Sequence, residues 1–106
     1  MNATASYNPT PFDIEWTRQL IEGSAKPVTV WGIPGNKSVY RIDRQERTFT
    51  LIAGPKVWAN GNLFEQLTAC ATLLGYTVRE EPQAMTADVV QEAFGKGKTL
   101  SWFYRN

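Results

Sequence analysis

Residues 95–99 read GKGKT, which resembles the core of a phosphate-binding loop. A loop of the G-x-x-x-x-G-K-[ST] type needs a glycine five residues before its second glycine, so that a complete turn of backbone N–H groups cradles the anion. Counting back from Gly97 reaches Glu92, and the fingerprint fails. The order of elements is also wrong. A phosphate loop runs from a strand into a helix N-terminus, whereas residues 95–99 follow a helical pattern and precede an alternating one. A glycine-rich connection is the simpler reading, with Lys96 and Lys98 near a helix C-terminus, where the dipole favours cations.

A second constellation surrounds residues 37–47. Lys37, Arg41, Arg44 and Arg47 are interleaved with aromatics such as Tyr40, with Trp31 close by. Cations neutralise phosphates and rings stack on bases, so this hairpin, extended by Lys96 and Lys98, is the basis of an alternative reading as a nucleic-acid-binding module. Asp43 and Glu46 interrupt the run, and eleven basic against ten acidic side chains leave a formal net charge of only +1. No global field therefore draws the protein to a polyanion.

Catalytic signatures are scarce. The chain has no histidine, which excludes Ser-His-Asp and Cys-His hydrolases and histidine-based zinc sites within it. Glu80 and Glu81 are neighbours on a predicted strand, point to opposite faces and cannot jointly clamp one bond. Cys70 falls at the spacing of Leu67 and Leu74 on an apolar helix stripe, where a thiol serves as a small hydrophobe. These residues predict no catalytic group, no cofactor and no metal. An enzyme would need a pocket with two convergent ionisable groups other than histidine.

The aromatics point elsewhere. Trp31 precedes the turn GIPGN, Trp58 lies in the loop PKVWANG, and Trp102, Phe103 and Tyr104 are consecutive. Alternation cannot bury all of them against one helical layer, and Trp and Tyr concentrate at the energetic centres of interfaces. These five residues are the predicted protein interface, for a partner protein or a second copy of the chain.

The elements that must position these residues follow from periodicity. Thr10, Pro11 and Asp13 form a helix start, and the helix runs to Glu22 with Ile14, Thr17 and Ile21 on one face. Residues 27–31, 38–43 and 47–53 read as three antiparallel strands, the last two forming a hairpin around RQE. A helix over 63–74, capped by Asn62, leads to a strand at 76–80. Thr86 opens a third helix ending at Gly95, with Met85 placed to staple against Val90. Residues 100–105 alternate and predict a terminal strand.

The predicted fold is thus a single α+β domain over residues 11–106, behind a loosely held arm at 1–10. Its order is α-β-β-β-α-β-α-β, with helices on one face of a five-stranded, mostly antiparallel sheet. If 47–53 and 76–80 pair in parallel, they form a strand-helix-strand crossover unit. One core suits 106 residues that are 42% hydrophobic. The lone cysteine and the absence of a signal-like start or a long apolar run predict a cytoplasmic protein that does not enter membranes. The functional expectation is a small, non-enzymatic, protein-binding or regulatory module. Its size suits an accessory protein of a bacterium or phage, an analogy that rests on no motif.

Overall fold

The computed structural model describes residues 8–35, 37–54 and 63–105. The element order is α1 (Pro11–Glu22), β1 (Val28–Ile33), β2 (Ser38–Asp43), β3 (Thr48–Ala53), α2 (Leu63–Leu73), β4 (Thr77–Glu80), α3 (Ala87–Phe94) and α4 (Leu100–Tyr104). They form one small α+β domain with a four-stranded mixed sheet in the order β1-β2-β3-β4. The first two pairings are antiparallel and β3 pairs with β4 in parallel, so β3, α2 and β4 form the anticipated strand-helix-strand unit.

The sheet is mixed rather than mostly antiparallel, because β4 pairs in parallel with β3, and two further features of the predicted fold need correction. The fifth strand is absent, because residues 100–104 form a helix. Thr99 Oγ1 accepts from Trp102 N–H at 3.0 Å, the Thr99 carbonyl accepts from Phe103 N–H at 3.0 Å, and Leu100, Trp102 and Phe103 turn together onto the sheet. The C-terminal end of this helix is held from a distance. Lys37 Nζ donates to the carbonyls of Trp102 (2.8 Å) and Arg105 (2.7 Å). A five-residue apolar run fits either period, and these distant contacts decide for the helix.

The last correction concerns the layers: helices cover both faces of the sheet. Tyr40, Ile42, Phe49 and Leu51 point to one face and pack against Ile21 of α1 and Leu67 and Ala71 of α2. Val39 and Ile52 point to the other, under Met85, Val90, Leu100, Trp102 and Phe103. Met85 and Val90 are thus both buried in one cluster, as the staple reading requires. The part of the second face left open is charged. Arg41 and Arg79 flank buried Thr50 in one row of the sheet, and the Glu81 carboxylate bridges them at 3.2 and 2.9 Å.

Local chemistry explains the other boundaries. Thr10 and Asp13 form a reciprocal capping box at α1, behind Pro11. The Asp43 carboxylate accepts from the N–H groups of Gln45 and Glu46, which folds the 44–47 turn into the hairpin expected there. Strand β1 continues through Gly32 and Ile33, past the predicted stop at Trp31, because both residues still pair with β2. On its outer side, Val30 N–H donates to Glu92 Oε2 of α3 at 3.1 Å. Asn62, the predicted cap of α2, lies outside the described residues.

Among the described residues Tyr40 is the largest fully buried side chain, and its hydroxyl meets no partner at hydrogen-bond geometry. Burial pushes its pKa up to about 12, partly offset by the nearby Ser38 hydroxyl. The folded pKa exceeds the unfolded one, so this contribution is intact below the unfolded value and is lost as pH rises towards the folded value. Unfolding free energy should fall by roughly 2 to 3 kcal/mol across that window through Tyr40 alone. Tyr40→Phe should remove this loss and leave stability at neutral pH within about 1 kcal/mol of the parent, because the gain from deleting a poorly bonded hydroxyl is offset by what the buried Ser38 hydroxyl loses. Urea melts at about pH 8 and about pH 11 test both points. An equal alkaline loss in the two proteins would show that the hydroxyl ionises as readily folded as unfolded.

Candidate functional site

The structure scatters the predicted protein interface. Trp31 lies on the α1 side of the sheet, against Tyr40 and Trp16. Trp102 and Phe103 lie on the opposite side, half-buried around Phe94. Tyr104 is exposed on its ring but accepts the Met85 N–H through its hydroxyl at 3.0 Å. Trp102 and Phe103 thus belong to the layer that covers the second core cluster, while the Tyr104 ring stays exposed. Trp58 lies outside the described residues.

The predicted nucleic-acid set is divided as well. Lys37 and Lys98 both lie over the Trp102 ring, at 4.8 and 4.6 Å from its centroid, and Lys37 also caps α4. Arg41 is tied to Glu81 on the second face. Lys96 is exposed in the connection between α3 and α4. Lys37 and Lys98 thus meet at Trp102, and Arg44 and Arg47 meet separately, at a cavity.

Those two arginines meet Arg18 at a cavity of about 540 Å³, lined also by Ile21, Glu22, Leu74 and Tyr76. Two separate stretches of chain bring the guanidinium groups there. Arg18 projects from α1 and bonds Glu15 at 3.2 Å. Arg44, in the turn between β2 and β3, donates to the Lys26 carbonyl at 2.8 Å. Arg47 ends the same turn with φ at +55°, a left-handed conformation that arginine adopts at a cost. Its backbone carbonyl accepts from Thr77 N–H at 2.8 Å, fixing the turn to the start of β4. Tyr76 stands between these groups. Burial raises its pKa, while the Arg47 and Arg44 charges pull the other way, so at neutral pH its hydroxyl is a proton donor.

Beside α1 is a second recess, of about 490 Å³, whose apolar part comes from Leu20, Val30, Trp31 and Ile42. Four and eight residues before Leu20 on the same row of α1, the helix presents Trp16, 37% exposed, and Phe12, 75% exposed. Four residues apart, these rings share one side of the helix. Trp16 meets Trp31 edge-on with centroids 6.2 Å apart.

Cys70 is fully buried, and burial is the main cause that raises its thiol pKa, which leaves it an inert part of the core. Among the described residues, no group of three or more His, Cys, Asp or Glu is placed to hold a metal ion, and no helix is long and apolar enough to cross a membrane. No known protein family, curated protein or solved structure matches the chain.

Sequence reasoning missed Arg18, Tyr76, Phe12 and Trp16 as site residues. For the last two a signal was present: α1 has apolar residues on more of its circumference than one buried stripe requires, so some must face solvent. For Arg18 and Tyr76 there was none, because only the packing of α1 on α2 and the pairing of β4 with β3 join them to the hairpin.

Proposed function

We propose that this protein is a small non-enzymatic binding module that grips another protein through the outer face of α1. The observation that carries the reading is the pair Phe12 and Trp16, two large rings exposed on one side of a helix, the second of them against Trp31, which lines an apolar recess. Aromatic side chains supply rigid area at low entropy cost, and a recess beside them accepts an anchoring side chain. The partner it fits presents an apolar side chain for the space between Leu20, Trp31 and Ile42. Lys26 and Glu92 at the rim offer it one charge of each sign. The nucleic-acid alternative has less support, since its six basic residues share no continuous surface and several are engaged within the chain.

A double variant, Phe12→Ser with Trp16→Ser, tests the reading. Phe12 is mostly exposed, but Trp16 also packs edge-on against Trp31, so the double variant should lose about 1 to 2 kcal/mol and its fold is checked by a urea melt. Affinity for the partner captured from host cells should fall roughly 30-fold, the equivalent of about 2 kcal/mol at an aromatic anchor. Sedimentation of the unmodified protein shows whether the partner is a second copy. A variant that captures and sediments like the original would overturn this site.

A further inference from the structure

We propose that the cavity formed by Arg18, Arg44, Arg47 and Tyr76 binds the phosphate group of a small phosphomonoester. The site is independent of the protein contact proposed for Phe12 and Trp16.

Charge is the first argument. Three guanidinium groups and one carboxylate, Glu22, line the cavity, and even with Glu15 paired to Arg18 behind it, the cationic excess left on Arg44 and Arg47 favours an anion. Geometry is the second. Arginine donors are arranged in a planar fork that fits phosphate oxygens, and one bond each, from Arg18 to Glu15 and from Arg44 to the Lys26 carbonyl, orients these two while leaving other N–H groups for a ligand. Tyr76 adds a neutral donor. Ile21 and Leu74 supply apolar wall for the organic part of the ester.

Strain at Arg47 is the third argument. The last residue of this turn has left-handed φ, where glycine would be relaxed. The arginine there extends over the end of α2, with Nη1 3.6 Å from the position a Cβ on Gly75 would take. A backbone cost retained at a cavity is consistent with a role for the side chain. A nucleic-acid strand is disfavoured as ligand. It needs a track of cations, whereas Lys37, Arg41 and Lys98 are held elsewhere by Trp102, Arg105 and Glu81.

The competing explanation is that these arginines offset the carbonyl ends of α1 and α2, neither of which has a basic residue in its last turn. Titration of the isotope-labelled full chain with phenyl phosphate, benzoate and an oligothymidylate, each followed by NMR, separates the two. Phenyl phosphate should give saturable shifts at Arg18, Arg44, Arg47 and Tyr76, with a dissociation constant of about 1 mM or tighter. Arg47→Gly, which relaxes the turn and therefore folds, should weaken it about tenfold or more. Equal responses to phenyl phosphate and benzoate, preference for the oligothymidylate, no saturation, or undiminished binding by Arg47→Gly would each overturn the proposal. Loss of stability in Arg47→Gly without phosphate binding by the parent protein would assign the arginines to the helix ends.

Discussion

Replacing Gly54 by alanine should cost about 3 kcal/mol and lower the melting temperature by roughly 15 °C, the largest single-methyl effect expected in this chain. Gly54 follows β3 with φ at +91°, a conformation that an L side chain strains to adopt. Space is closed as well. A Cβ there would stand 2.4 Å from Ser38 Cα and 2.7 Å from the Lys37 carbonyl oxygen. Both are backbone atoms, so no rotamer change makes room. Relief requires the start of β2 to move, and Ser38 is fully buried while Lys37 holds the end of α4. The strain therefore reaches both layers. Urea unfolding should show a lower midpoint with an unchanged slope, the mark of lost stability rather than an altered denatured state. A loss below about 1 kcal/mol would mean that the β2 start yields far more readily than its packing implies.

Gly32 and Phe94 should behave as a coupled pair. The ring of Phe94 occupies the space above Gly32, so an added Cβ would lie 2.5 Å from its Cε1. That ring also meets Trp102 at 5.0 Å and Phe103 at 6.0 Å between centroids, and so anchors the aromatic layer of α3 and α4 to the sheet. Gly32→Ala should destabilise by about 2 kcal/mol through overpacking, and Phe94→Ala by about 3 kcal/mol through lost burial and a cavity. In the double variant the new methyl group has room. Its cost should fall short of the sum by about 1 to 2 kcal/mol, measured from the four unfolding curves of a double-mutant cycle. Additivity within about 0.5 kcal/mol would count against direct contact as the source of both losses.

The legible parts of the fold were those whose signals are local. Thr10, Pro11 and Asp13 mark the start of α1 because a cap, a fixed φ and a first-turn acid act within four residues. The hairpin was legible because Tyr40 and Ile42 alternate, as do Phe49 and Leu51, around a polar turn. Residues 100–104 were misread because alternation and helical spacing both fit so short a run. The contacts that decide come from Lys37, 65 and 68 residues earlier in the chain than the carbonyls it binds. The same limit applies to the cavity. Arg44 and Arg47 were visible as cations of the hairpin, but Arg18 and Tyr76 join them only through the packing of α1 and the parallel pairing of β4. The error over the single helical layer had another cause. Val39 and Ile52 are the few apolar residues on the second face of β2 and β3, too few to signal that α3 and α4 pack there.

The contact between Glu92 and Val30 has a consequence for the protein in concentrated solution. β1 is an outer strand, and an outer strand with free N–H groups is a template on which a neighbouring molecule can add a strand of its own. With the Val30 N–H already occupied by a carboxylate from α3, an incoming strand finds a donor taken and a negative charge in its path. The chain thus carries its own chain terminator for sheet growth, supplied by the helix that also covers the sheet.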